Sequence, residues 1–164
     1  MRSYLLSWLA KKYEAADRES FVRAEPHDWL VWEAGPWRPP ARGRETIQAR
    51  PGMPGLNSGE SLAIAIEPAS GARSITVGRS TENDVVIDDA TLSRIHMRLE
   101  RGEGGRWTAV DLGSSNGTTV DGVPARGQPV PLKSGSAIEA GAVRLTFYDG
   151  AGFHQRLTAR AEPA

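Results

Sequence analysis

The sequence has 164 residues, enough for one domain and an extension, and its 20 Lys and Arg side chains balance 20 Asp and Glu. Basic residues form no stripe along the sequence, which argues against a nucleic-acid partner. The absence of cysteine excludes disulfides and thiolate metal sites. The apolar runs are too short to cross a bilayer, and no cleavage site follows the apolar amino terminus, so we expect a cytoplasmic protein without membrane insertion.

The amino-terminal segment is predicted to be helical over residues 3–24. Leu5, Leu9 and Tyr13 recur at the spacing of one helix face. Pro26 is expected to end the helix, since proline does not continue one.

An aromatic segment follows, and Trp29-Leu30-Val31-Trp32 is predicted to be a short strand. Two interpretations of Trp29, Trp32 and Trp37 stay open: they pack this extension onto the rest of the chain, or they form an exposed patch for a second protein partner. Residues 1–38 are therefore interpreted as an amino-terminal unit. Residues 39–59 are rich in Pro, Gly and Arg and are interpreted as a linker.

From residue 60 the sequence pattern changes to short apolar runs separated by Gly, Pro, Asn and Asp. This pattern predicts strands without intervening helices. Ile95, Met97 and Leu99 alternate with polar residues, as in a half-buried antiparallel strand. We therefore expect a mainly β fold, an antiparallel β-sandwich over residues 60–150, followed by a frayed tail over 151–164. The predicted strands are Leu62–Ile66, Ser74–Val77, Val85–Ile87, Ile95–Arg101, Trp107–Asp111, Thr118–Val120, Ala137–Ala140 and Val143–Tyr148.

Three polar clusters fall between these strands, and loops at one end of a sandwich can meet. The clusters are Gly78-Arg79, Ser93-Arg94-Ile95-His96 and Ser115-Asn116-Gly117.

The chemistry of these clusters suits a phosphate monoester, which carries about −1.5 to −2 charge and three strong acceptor oxygens. Arg79 offers a charged, forked donor, and the hydroxyls of Ser93 and Ser115 can reach the remaining oxygens. Asn116 can donate to and accept from a peptide backbone, and Gly117 permits the positive φ of a tight turn.

As a set, these motifs resemble the forkhead-associated (FHA) domain family over residues 60–150. The signature is Gly-Arg, then Ser-x-x-His, then Asn-Gly, in this order. The resemblance implies that phosphopeptide is bound by Arg79, Ser93, Arg94, Ser115 and Asn116. It also implies that the framework of the site consists of Gly78, His96 and Gly117, with His96 holding loops together rather than touching the ligand.

The same resemblance implies a phosphothreonine-binding adaptor in bacterial Ser/Thr kinase signalling. Its partners would be threonine-phosphorylated proteins and their kinase, and neither a cofactor nor a metal is expected. Catalysis is not expected, because the three histidines show no metal-ligand spacing and no phosphate-loop or nucleophile-elbow motif occurs. The alternative is a structural subunit, for example of a bacterial secretion apparatus, that uses the fold as a docking platform.

Two threonines carry further expectations from the resemblance. Thr91 stands two places before Ser93. In the family, a residue shortly before this serine helps to select the third peptide residue after the phosphothreonine. Because Thr91 is neutral, we expect no strong preference for aspartate at that peptide position. Thr46 is the only threonine before the domain. In some small bacterial members, a kinase phosphorylates such a threonine, which then folds back onto the domain's own pocket.

Overall fold

Alternating apolar residues form two facing sheets in a computed structural model that describes residues 1–33 and 60–159. The strands are β1 (Ser3–Leu5), β2 (Asp28–Trp32), β3 (Leu62–Ile66), β4 (Ser74–Gly78), β5 (Val85–Val86), β6 (Met97–Arg101), β7 (Trp107–Asp111), β8 (Thr118–Val120), β9 (Val123–Pro124), β10 (Val130–Pro131), β11 (Ala137–Ala140) and β12 (Val143–Tyr148). The helices are α1 (Leu6–Lys12), α2 (Arg18–Ala24) and α3 (Gly150–Thr158). Each helix has seven to nine residues, and no helix of the described ranges is long and apolar enough to cross a membrane.

One sheet has seven strands in the order β1-β3-β2-β12-β11-β8-β9, and the other has five in the order β10-β7-β6-β4-β5. The strand pairs are antiparallel except for β4 with β5. Buried apolar side chains from both sheets fill the space between them. The prediction of a mainly antiparallel β-sandwich is confirmed.

Strand β2 is buried on both faces and lies between β3 and β12. Leu30 and Trp32 point into the core between the sheets, whereas Trp29 and Val31 pack under the helices. Trp29 is 0% exposed and Trp32 is 4% exposed, so the hypothesis that they form an exposed patch for a second partner is wrong. Trp37, Thr46 and the predicted linker lie outside the described residues.

The single helix predicted over residues 3–24 is wrong. Ser3–Leu5 instead pairs with β3 as the edge strand β1, a non-local pairing that helical spacing cannot reveal. Asp17 then starts a second helix, because its side chain accepts a hydrogen bond from the Ser20 N–H at 2.7 Å. The chain therefore turns between α1 and α2.

The prediction of a frayed tail after the sandwich is also wrong, because residues 150–158 form α3. Asp149 caps this helix by accepting from the Gly152 N–H at 2.7 Å. Phe153 and Leu157 lie one turn apart and are buried, and Phe153 stacks on Trp29 with ring centres 4.3 Å apart. Phe153 and Leu157 of α3 therefore join Trp29 and Val31 in a second apolar cluster, on the outer face of the seven-stranded sheet.

The strand predicted to begin at Ile95 starts two residues later, at Met97. Ile95 is 43% exposed and lies in the preceding loop, so its predicted inward position is wrong. The reason is that His96 takes the inward place next to Met97 and is itself fully buried. This shift places the Ser93–His96 segment at the end of the sandwich.

Candidate functional site

Strand register brings three loops together at one end of the sandwich. Val77 of β4 pairs with Met97 of β6, and Met97 pairs with Asp111 of β7. The loops at residues 79–84, 88–96 and 112–117 therefore meet, as predicted for the three polar clusters. We call this end the loop pole.

Gly78 occupies the tightest position of the loop pole. A Cβ at Gly78 would lie 2.9 Å from Nδ2 of Asn83 and would overlap the carbonyl oxygen of Arg94. Asn83 uses that Nδ2 to donate to the carbonyls of Ser80 at 2.8 Å and Arg94 at 2.7 Å. Only glycine leaves room for this bridge between two loops.

His96 is fully buried and joins the other two loops. Its Nδ1 accepts a hydrogen bond from the Ser93 N–H at 3.0 Å, and its Nε2 lies 2.9 Å from the carbonyl oxygen of Gly117. Since a backbone N–H only donates, Nδ1 carries no hydrogen, and Nε2 therefore donates to Gly117. The neutral ring fits the framework role that the resemblance implied.

Asp111 organises the loop that carries Ser115 and Asn116. Its buried carboxylate accepts from the N–H groups of Gly113 and Ser114 and from the hydroxyls of Ser114 and Thr118, at 2.5–3.0 Å. Burial alone would raise the pKa of Asp111, but the hydrogen bonds from Ser114 and Thr118 outweigh it and hold the pKa below its usual range. Asp111 is therefore ionised at neutral pH and holds the loop in place.

The predicted phosphate-binding side chains lie together at the surface of the loop pole. The Arg79 N–H donates to the carbonyl of Ser93 at 3.0 Å, and its Nε donates to the carbonyl of Leu92 at 3.1 Å. The Ser115 N–H donates to Oγ of Ser93 at 3.1 Å. Ser93 thus keeps its hydroxyl hydrogen for another acceptor, and Arg79 keeps its two terminal nitrogens for a ligand.

The other predicted residues surround this group. Arg94 and Asn116 are exposed, and Nδ2 of Asn116 donates to the carbonyl of Thr91 at 2.7 Å. That bond fixes the amide and leaves its Oδ1 as an acceptor for a passing backbone N–H. Gly117 has a φ of 80°, which allows the turn that presents Asn116.

Sequence reasoning missed the supporting roles of Asp111 and Thr91. The Thr91 hydroxyl donates to Asp89 at 2.5 Å and accepts from the Ala142 N–H at 2.9 Å, which ties a fourth loop, between β11 and β12, to the loop pole. Asp89-x-Thr91 and Asp111-x-Gly113 are both spacings at which an aspartate bonds the backbone two residues on, and this signal was available in the sequence.

Comparison with known proteins gives concordant matches. A family model described as the FHA domain matches residues 75–141. The chain is 36% identical over 115 residues to an oxoglutarate dehydrogenase inhibitor of Corynebacterium efficiens, covering 66% of this chain and 79% of that protein. It is 36% identical over 106 residues to a glycogen accumulation regulator of Mycolicibacterium smegmatis, covering 60% of this chain and 65% of the relative, slightly less than two thirds of its length.

A solved structure agrees with these matches. The solution structure of an FHA domain from Arabidopsis thaliana is similar to this chain with a TM-score of 0.51 and 25% sequence identity. The similarity covers 75% of this chain and 86% of the plant domain.

Proposed function

We propose that this chain, which belongs to the FHA domain family, binds threonine-phosphorylated proteins through its loop pole. In this role it is an adaptor in bacterial Ser/Thr kinase signalling. Its partners are the threonine-phosphorylated protein and the kinase that phosphorylates that protein. The names of the two bacterial relatives, an inhibitor of an enzyme and a regulator, fit a binding module better than a catalyst.

One observation supports this proposal above the others: the backbone N–H groups of Arg79 and Ser115 both donate to Ser93, to its carbonyl and to its Oγ, while the side chains of Arg79 and Ser115 stay exposed. A dianionic phosphate would receive a charged fork from Arg79 and hydroxyl donors from the two serines. Arg94 would add charge beside it, and Asn116 would bind the backbone just after the phosphothreonine. The preorganised loops reduce the entropy lost on binding.

The alternative, an assembly platform with the aromatic extension as its docking element, has less support. Trp29 and Trp32 are buried in the fold and offer no surface to a partner. The loop pole also retains Arg79, Ser93 and Asn116, which a scaffold that does not bind phosphate has no need to keep.

We expect Arg79→Ala to abolish binding of a phosphothreonine peptide without unfolding the protein. Loss of a charged partner of a dianion costs about 2–5 kcal/mol, which corresponds to a loss of affinity on the order of 30-fold or more. Arg79 is exposed and contributes little to the core. Titration calorimetry with phosphothreonine, phosphoserine and unphosphorylated versions of one peptide measures the effect.

Arg106→Ala is the matched control, since Arg106 is an exposed arginine in the β6–β7 turn at the opposite end of the sandwich. It removes the same charge and should leave affinity unchanged. Equal affinity of the wild type and Arg79→Ala for the phosphothreonine peptide would refute phosphate recognition by Arg79.

A further inference from the structure

A second pocket, which we call the distal pocket, lies at the end of the sandwich opposite the loop pole. Its volume is about 490 Å³. Asp28 and Ile66, paired between β2 and β3, contribute to its wall from one sheet, Arg101 and Trp107 from the other, and Val22 from α2. Of the described residues in this wall, only Arg101 and Trp107 fall within the segment that the FHA model matches. The distal pocket is therefore built largely by the part of the chain outside that segment.

Much of the wall of the distal pocket is apolar. The apolar residues that line it are Val22, Pro26, Ile66, Pro68 and Trp107. Val22 is 37% exposed and Pro26 is exposed, so the fold leaves part of this apolar surface in contact with water. A ligand with an apolar body would cover that surface and gain free energy from its burial.

The carboxylate of Asp28 is an incompletely paired acceptor in the distal pocket. Its Oδ2 accepts from Nε1 of Trp107 at 2.6 Å, whereas its Oδ1 has no hydrogen-bond partner among residues 1–33 and 60–159. Burial raises the pKa of Asp28, and the hydrogen bond from Trp107 and the charge of Arg101 offset this only in part. A buried charge with too little compensation is one that a bound cation would stabilise.

Arg101 brings a positive charge to the same pocket. Its side chain is exposed and makes no hydrogen bond or ion pair with the part of the chain that the structure describes. Its charge nonetheless acts on the Asp28 carboxylate and lowers the pKa of that group, so the two side chains lie near each other without contact. A guanidinium carries five N–H donors in a planar fork that matches a carboxylate. Arg101 can therefore bind an anionic group of a ligand beside Asp28.

The other ionisable side chains of this wall already have partners. Nε of Arg2 donates to a carboxylate oxygen of Glu67 at 2.9 Å. Nε2 of His27 lies 3.0 Å from a carboxylate oxygen of Glu25. A ligand in the distal pocket therefore meets one carboxylate and one guanidinium that the fold has left open, of opposite charge and close together.

We propose that the distal pocket binds a free α-amino acid with an apolar side chain. The ammonium group pairs with Oδ1 of Asp28, the carboxylate pairs with the guanidinium of Arg101, and the side chain lies against the apolar wall beside Val22. A simple amine would meet a like charge at Arg101, and a simple carboxylic acid would meet one at Asp28, so both charges together favour a zwitterion. The loop pole takes no part in this site, which is independent of phosphopeptide binding.

Titration calorimetry of the full chain with valine, leucine, isoleucine, methionine and phenylalanine at millimolar concentrations tests the proposal. The tightest binder is then compared with its N-acetyl derivative, which lacks the ammonium charge, with its amide, which lacks the carboxylate, and with glycine, which lacks the side chain. We expect each of these three to bind about tenfold more weakly than the parent amino acid, because each loses one charged or apolar contact.

Three variants show which protein group binds which end of the ligand. Asp28→Asn keeps an oxygen for Trp107 and should abolish the preference over the N-acetyl derivative, whereas Arg101→Ala should abolish the preference over the amide. Arg73→Ala is the matched control, since Arg73 is an exposed arginine whose carbonyl accepts from the Arg101 N–H, outside the pocket wall. It should leave both preferences unchanged. Thermal melts identify variants that fail to fold, and the exposed Arg101 and Arg73 keep the comparison available if Asp28→Asn does.

Three outcomes would overturn this assignment of the distal pocket. They are no binding of any of the five amino acids, equal binding of the parent and its two derivatives, and a preference over the amide that survives in Arg101→Ala. None of them bears on the loop pole, where the Arg79→Ala titration tests phosphothreonine binding separately.

Discussion

At the scale of single residues, the loop pole depends on side chains that are buried beneath its surface. His96 and Asp111 are buried. His96 connects Ser93 to Gly117 in the next loop, whereas Asp111 holds its own loop together. Because burying a polar group costs free energy unless it is hydrogen-bonded, each is tolerated only where its partners are in place. The buried side chains of His96 and Asp111 hold the loops in place and so fix the positions of the exposed side chains of Arg79 and Ser115.

We expect His96→Ala to lower the free energy of unfolding by roughly 1–3 kcal/mol, because the Ser93 N–H and the Gly117 carbonyl lose their partner. Denaturant unfolding measures this loss. Affinity for the phosphopeptide should weaken as well, since both loops lose their tether. If His96→Ala lost binding while its free energy of unfolding stayed unchanged, His96 would instead contact the ligand.

The meeting of the three polar clusters at the loop pole could be predicted from the sequence, whereas the residues that support them could not. Arg79, Ser93 and Asn116 belong to a motif whose order and spacing identify it. Arg126 lies in no such motif, and its Nη2 donates to the carbonyl of Ser114 because the β8–β9 hairpin folds back toward the β7–β8 loop. Proximity of this kind is set by tertiary structure, which local spacing does not encode.

At the scale of secondary-structure elements, five strands have the predicted bounds, because alternation is a local signal. The errors lie where non-local packing decides. β1 has only three residues and exists because it pairs with β3. α3 presents Phe153 and Leu157, an apolar stripe that becomes stable only against Trp29 and Phe21.

We expect Phe153→Ala to destabilise the protein by about 3–5 kcal/mol, the cost of removing a fully buried aromatic ring. Gln155→Ala on the exposed face of α3 is the control and should change stability by less than about 0.5 kcal/mol. Urea unfolding of both variants decides the matter. Similar stabilities for the two would mean that α3 does not pack on the sheet.

At the scale of the whole molecule, the amino-terminal segment is part of the sandwich rather than an appendage. β2 separates β3 from β12, and its loss would open both neighbours at once. Trp107 also donates to the Asp28 carboxylate at 2.6 Å, which ties the first residue of β2 to the five-stranded sheet. We therefore propose that the folding unit includes residues 28–32 in addition to 60–150.

We expect removal of residues 1–33 to abolish cooperative thermal unfolding, because an interior strand and two covering helices are lost together. Supplying residues 1–33 as a separate peptide should restore the transition, as a missing strand can be added between open edges. Circular dichroism melts of the shortened chain, with and without the peptide, measure both effects. A cooperative melt of the shortened chain alone would contradict this expectation.

The place of β2 between β3 and β12 also has a consequence during synthesis. The side chains of Glu33 and Thr146, beside the β2–β12 pairing, are 113 positions apart in the chain. At a ribosomal rate of about 5–20 residues per second, β2 waits roughly 6 to 23 s for this last neighbour. For that time an apolar strand rich in tryptophan has an open edge and resembles an aggregation-prone segment.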